Sequence, residues 1–300
     1  MSRNGPVEDD MTDDVLIAEF DMSRPLVLQW TIVSIVGFFV SLFGFLLVYY
    51  AVTGDAAVTE FALTPDTGWW NLGLTLLVIT GLTLLVIFPH ELCHGLAIRA
   101  FGGQPQYGLG LAYFVFPYAF ATTDTRFTRN QFIVIALTPL VVLSVIGVPI
   151  LLVFEWTWLA IPLAMNAGGA VGDIWMALTL LSYPSGVSVV DRTTGLEVYG
   201  PSGFERSDTA PATVVWDLFV GIAGGVLALA GIGGILVPLV LSAMGIDALT
   251  LGIPDSPLLI IEFTSTDGGT EFTMGTGIFA IGAFVGICYA YLRARRHGSR

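Results

Sequence analysis

Apolar residues in this chain gather into long, nearly unbroken runs instead of the alternating or one-sided spacing of a water-soluble domain. A helix needs about 20 apolar residues to cross the hydrocarbon core of a bilayer. Five runs reach that length: 26–52, 70–98, 132–154, 158–183 and 214–244. A sixth, 277–292, is shorter and ends on Arg293, Arg295 and Arg296. The pattern predicts six spanning helices, and the fold class expected is an all-α polytopic membrane protein. Short β-hairpin or re-entrant elements fall in its connecting loops. "SVVDRTTGLEVYG" (188–200) reads as a hairpin, two β-branched runs around a Thr-Gly turn. "YGLGLAYFVFPYAFA" (107–121) is apolar but interrupted by Pro117, as a re-entrant element or a hairpin against the membrane face would be. "LLIIEFTSTDGGTEFTMG" (258–275) alternates like strands around Asp267-Gly268-Gly269.

Arginine placement assigns the sides. Loops on the cytoplasmic side of a membrane carry the excess of basic residues. Arg3 and Arg24 precede the first run, and Arg99, Arg126 and Arg129 lie between the second and third. Arg192 and Arg206 lie between the fourth and fifth, and Arg293, Arg295, Arg296 and Arg300 follow the sixth. The loops 54–69 and 246–276, and the turn at Glu155, have none. Six crossings put all eleven arginines on one face, so both termini are expected in the cytoplasm of a multi-pass cell-membrane protein. Three parts follow: an acidic cytoplasmic tail (1–25), a membrane core with its cytoplasmic hairpin (26–213), and a C-terminal helical pair with an external loop and basic tail (214–300).

Composition narrows this further. Apolar residues make up 55% of the chain and charged ones 12%, about half the usual share of a soluble domain. The net charge is −13 and lysine is absent, which excludes nucleic acid as a partner. Acidic excess without lysine resembles proteins of salt-loving microbes; an acidic tail with acidic loops gives the same count. The acidic, polar N-terminal stretch is unlike a cleavable signal peptide. Cys93 and Cys288 lie far apart in apolar segments and imply no disulfide.

Ionisable residues are expensive in hydrocarbon and mark function where they occur. "VIFPHELCHGLAIRAFGG" (86–103) places three within five residues. His90-Glu91-Leu92-Cys93-His94 has the spacing H-E-x-x-H. On a helix, positions i and i+4 share a face, so both imidazoles can bind one zinc ion. Zinc brings the acidity of water near neutrality, and Glu91, beside the first ligand, can take the proton. Cys93 reads as a small apolar filler.

Zinc enzymes of this kind use three protein ligands. The other runs offer Asp173, in "MNAGGAVGDIWMAL", and Asp217, at the start of the fifth. Depth separates them. His90 precedes Arg99 by nine residues, ~14 Å of helix, and Asp173 precedes Pro184 by eleven, ~16 Å. Asp217 sits only three or four residues into its run, near the headgroups, where it can serve as an N-terminal helix charge. Gly168 and Gly172 form a G-x-x-x-G face suited to close helix packing. Asn166 shares the face of Asp173 and is a substrate-positioning or oxyanion-binding candidate, or else an interhelical hydrogen bond.

Three segments carry a resemblance: "HELCHGLAIRAFGG", "FTRNQFIVIALTPLVV" (127–142) and "NAGGAVGD". Together they resemble the zincin peptidase family of small membrane proteins, which is in turn similar to intramembrane metalloproteases of the site-2 protease type. The likeness covers roughly residues 70–200. It implies zinc held by His90, His94 and Asp173, with Glu91 as the catalytic acid/base. Site-2 proteases carry the aspartate in a Leu-Asp-Gly setting, whereas here it is Gly172-Asp173-Ile174, and no PDZ insert is recognisable. The activity implied is zinc-dependent hydrolysis of membrane or membrane-associated peptides near the cytoplasmic face, with the bilayer as surroundings. A non-enzymatic metal-binding scaffold or ion transporter is the alternative; it has no need of Glu91 between the histidines.

Overall fold

The computed structural model describes residues 14–55, 68–112, 116–192, 195–202, 211–254, 256–266 and 269–297. Arg3, Arg206, Arg300, Thr194, Asp267, Gly268 and most of the loop 54–69 lie outside the described residues. The chain begins with strand β1 (Val15–Asp21), followed by helices α1 (Arg24–Thr53) and α2 (Gly68–Ala100). Strands β2 (Gln106–Ala112) and β3 (Phe116–Thr128) lead into α3 (Arg129–Val153), α4 (Ala160–Gly169) and α5 (Val171–Leu180). Next come β4 (Ser188–Arg192), β5 (Gly195–Gly200), α6 (Pro211–Ala228) and α7 (Gly234–Ala243). Strands β6 (Ala248–Leu251), β7 (Ile261–Thr266) and β8 (Gly269–Met274) precede the last helix, α8 (Gly277–His297).

This corrects the all-α expectation. Eight strands form two antiparallel sheets, one of five strands in the order β1-β5-β4-β3-β2 and one of three in the order β6-β7-β8. The stretches 107–121 and 188–200 are hairpins, but they are not separate ornaments. β3 is long enough to pair with β2 over Phe116–Thr122 and with β4 over Thr123–Thr128. β1, from the acidic N-terminal stretch, closes the other edge against β5. A local pattern cannot show that pairing, because its partner lies most of the chain away.

The number of crossing helices is corrected too. Among the described residues, five helices are long and apolar enough to cross a membrane, not six. The run 158–183 is divided into a 3-10 turn (Thr157–Leu159), α4 and α5. Hydropathy registers the apolar residues and not helical continuity. Gly168, Gly169 and Gly172 each weaken a helix interior by about 1 kcal/mol relative to alanine. Between them Ala170 takes φ −73°, ψ 4°, while helical hydrogen bonds of 2.9 Å persist at Ala170 N–H and Ile174 N–H.

Two compact units divide the chain, Met1–Val27 with Phe38–Ser207 and Leu28–Gly37 with Asp208–Arg300. In the first, the sheet buries Phe127, Val189, Leu196 and Val198 against Ala97 and Ile98 of α2, Phe132, Ile135 and Ala136 of α3, and Leu180 of α5. These are the C-terminal turns of α2 and α5 and the N-terminal turns of α3, so the sheet packs across one end of the helices. Thr128 caps α3 through a reciprocal capping box with Gln131, which fixes where strand becomes helix. A second cluster joins Tyr49 of α1 to Leu151 of α3 and Leu163 of α4.

In the second unit α6 and α8 pack backbone to backbone. A Cβ at Gly221 would stand 2.7 Å from Gly286 Cα, closer than real contacts allow. Trp216 Nε1 donates to Gln29 Oε1 at 3.0 Å, tying α6 to the segment of α1 that belongs to this unit. Gly221→Ala should therefore lower the stability of this helix pair by about 1–3 kcal/mol, the usual cost of overpacking. Gly224→Ala, with nothing within 4 Å of the added methyl, should change it by less than about 0.5 kcal/mol. Denaturant titration in detergent followed by circular dichroism measures both.

Candidate metal centre

α2 carries Pro89 immediately before His90, and the one-turn spacing of His90 and His94 sets their rings edge to face with centroids 4.9 Å apart. Asp173 stands in the first turn of α5, just after the break at Ala170. The structure brings the three together. Asp173 Oδ2 lies 3.2 Å from His90 Nε2, and Oδ1 lies 3.5 Å from His94 Nε2. One ligand atom from each residue falls within 4.8 Å of the others, and the three side chains are only 11–12% exposed.

Hydrogen bonds on the far side of each ring decide which nitrogen carries its proton. His94 Nδ1 is 3.0 Å from the Ile135 carbonyl, which can only accept, so His94 donates from Nδ1. His90 Nδ1 is 2.9 Å from Asn166 Oδ1. The Asn166 amide nitrogen donates to the Pro139 carbonyl, which leaves its oxygen for His90. Both imidazoles are thus turned with Nε2 lone pairs toward Asp173. With both rings neutral, two lone pairs and a carboxylate converging in a buried space repel one another unless a cation lies among them; without a cation, a second proton on an imidazole makes the contact an ion pair instead. Asp173 Oδ2 is buried without a hydrogen-bond partner, as an oxygen awaiting a cation would be. Two imidazole nitrogens and one carboxylate oxygen are a donor set suited to zinc. These residues fit a metal ion.

Glu91 points to a different neighbour. The Ala121 backbone of β3 lies close to its carboxylate. Its Oε2 is buried and has no hydrogen-bond partner. Gly95, one turn further along α2, lies under the Tyr107 hydroxyl of β2, where a Cβ would meet that oxygen. The backbone of the sheet therefore reaches the same helix face as the motif. Asn166, the substrate-positioning candidate, is fully buried and spends its polar atoms on His90 and Pro139. Its observed hydrogen bonds are interhelical. Asp217 is not among the residues of this cluster. It is buried in the second unit, where Arg293 Nη1 approaches its Oδ1 at 3.1 Å. α8 runs past residue 292, and its added turn carries Arg293 to that carboxylate.

Sequence reasoning passed over the Ile135 carbonyl, the Ala121 backbone and Asp191. The first two are main-chain atoms and leave no mark in residue type. Asp191 sits on β4 opposite Thr123. Burial pushes its carboxyl up to about 7, with the charges of Asp173 and Glu91 adding to the rise and His94 opposing it. A folded-state value above the ordinary 3.8 means that folding favours the protonated form. Stability from this group is complete below the ordinary value and is lost as pH rises toward about 7. In the metal-free protein, Asp191→Asn should flatten the pH dependence of thermal unfolding across that window. The variant should melt higher than wild type at about pH 8, above the Asp191 titration. An unchanged difference in melting temperature between about pH 5 and about pH 8 would contradict the assignment.

A family model described as "Putative zincin peptidase" matches residues 83–188, the stretch from the His90–His94 turn of α2 through α5 to the start of β4. No curated protein and no solved structure matches the chain.

Proposed function

We propose that this chain is a zinc-dependent membrane endopeptidase that hydrolyses peptide bonds near the cytoplasmic face. One observation carries the reading: three buried acceptors converge within 4.8 Å beside the unpaired oxygen of Glu91. The family match over 83–188 supports metallopeptidase chemistry and zinc. The five apolar helices support a membrane setting.

His90, His94 and Asp173 would hold the ion, and Nδ1 bonds to Asn166 and Ile135 keep both rings in the required tautomer. Bound zinc supplies positive charge that acidifies water and polarises a scissile carbonyl. Glu91 lies beside the Ala121 backbone and keeps Oε2 without a hydrogen-bond partner. It takes the water's proton and delivers it to the leaving amine. The sheet supplies a place for an extended substrate. β4 pairs with β3 only from Thr123 onward, which leaves the stretch of β3 near Glu91 with β2 on one side alone. A peptide laid along that edge of β3 would form main-chain hydrogen bonds and bring its carbonyl to the site. A scaffold that merely bound metal would have no use for a carboxylate placed there.

Glu91→Gln should keep metal content at the wild-type level and lower peptidase turnover by about 100- to 10,000-fold. His94→Ala should lose both metal and activity. Metal analysis of purified protein beside cleavage of a fluorogenic peptide reads the two separately, and full activity in Glu91→Gln would refute the proton-transfer role.

Orientation is tested by single cysteines in a background lacking Cys93 and Cys288. With α4 and α5 together returning the chain across the bilayer, the arginine distribution puts the exposed Thr270 of β8 outside and the exposed Gln104 before β2 inside. Thr270→Cys should react with an impermeant maleimide in intact cells, and Gln104→Cys only after permeabilisation. The reverse labelling would invert the topology.

A further inference from the structure

Pro139 lies in the interior of α3 and its side chain is fully buried. Proline has no N–H, so the carbonyl four residues earlier loses its helical donor. That carbonyl belongs to Ile135, and it is the one that accepts from His94 Nδ1 at 3.0 Å. Any other residue at 139 would offer an N–H to the same oxygen, in competition with the imidazole.

The same turn reaches the other ligand. The Pro139 carbonyl accepts from the Asn166 amide at 3.4 Å, and Asn166 Oδ1 accepts from His90 Nδ1 at 2.9 Å. One imidazole is therefore held directly, and the other through Asn166, by carbonyls within about one helical turn of the proline. Groups of this kind behind a metal-binding histidine fix its ring and tautomer, and their loss commonly weakens metal binding about 10- to 100-fold.

We propose that Pro139 is a positioning residue of the metal centre: its missing N–H leaves the Ile135 carbonyl to hold His94 with the proton on Nδ1 and the lone pair on Nε2. This rests on His90, His94 and Asp173 being the metal site. Helix stability alone gives no reason for the residue, because proline is the least favourable residue in a helix interior. Pro149, exposed on the same helix, provides the comparison.

The experiment compares wild type, Pro139→Ala and Pro149→Ala in full-length protein. Zn²⁺ affinity is measured by competition with a chelator, and the histidine tautomers of the metal-free protein by ¹⁵N-histidine NMR. Pro139→Ala should bind Zn²⁺ about 10- to 100-fold more weakly, with His94 no longer held as the Nδ1-protonated form, while its thermal stability equals or exceeds that of wild type. Pro149→Ala should match wild type in affinity and tautomer. A backbone ester at 139, made with the α-hydroxy analogue of alanine, lacks both the ring and the N–H. It should restore wild-type affinity if the N–H is responsible. Equal Zn²⁺ affinity in wild type and Pro139→Ala, or a loss in Pro139→Ala that the ester leaves in place, would overturn the proposal while leaving the metal site intact. A wild type that bound no Zn²⁺ would overturn the metal-site reading and the proposal with it.

Discussion

Three acceptors held face to face are the constraint around which the first unit is organised. With both rings neutral, His90 Nε2, His94 Nε2 and the Asp173 carboxylate would separate if they were free to do so, since none then offers the others a proton. The scaffold therefore has to oppose their repulsion until a cation relieves it. It does so with rigid parts: two ligands one turn apart on α2, and the third in the first turn of α5. The rings are locked from behind by α3 and α4. A cluster of this kind on flexible loops would relax by rotating a ring or withdrawing the carboxylate.

The sheet belongs to the same construction. Its core residues interleave with the final turns of α2 and α5 and the first turns of α3, so strand positions are fixed relative to the ligands by close packing. This is why the β3 backbone can lie beside Glu91 and a β2 tyrosine can rest on Gly95. The glycine after the motif leaves room for the Tyr107 hydroxyl in this position. The strands thus bring polar backbone to a helix surface that otherwise presents only apolar side chains and the motif.

Legibility in the sequence followed the range of the interactions involved. Helices α1, α2, α3 and α8 and the α6–α7 run are visible because hydropathy accumulates along one continuous segment. The hairpins are visible where β-branched alternation meets a turn, as at 188–200. What escaped is long-range. β1 lies in a polar stretch and becomes a strand only through β5, and α4 and α5 appear as one apolar run because the break at Ala170 alters backbone angles and leaves hydropathy unchanged. The site shows the same division. The i, i+4 periodicity of His90 and His94 is local and readable, and the depth of Asp173 follows from counting residues. The Ile135 carbonyl is readable only in retrospect, from a proline four positions later.

The chain contains two deeply placed aspartates, and their surroundings show how differently a buried carboxylate can be accommodated. Asp217 is met by the Arg293 guanidinium at 3.1 Å, and Arg293 also reaches the Tyr289 hydroxyl. That charge is compensated by the protein itself, and glycine-mediated packing of α6 against α8 allows the approach. Asp173 is equally buried but is faced by two imidazole nitrogens whose other sides already donate hydrogen bonds. An arginine at that place would have closed the account of charge and filled the space. Imidazoles in the Nε2-lone-pair form leave the negative charge standing and add two more donors of electron density. In a low-dielectric setting that arrangement calls for positive charge, which a bound cation supplies and which, without one, protons on the imidazoles would have to supply. The same physics that makes Asp217 a structural ion pair makes Asp173 one side of a site for a metal ion.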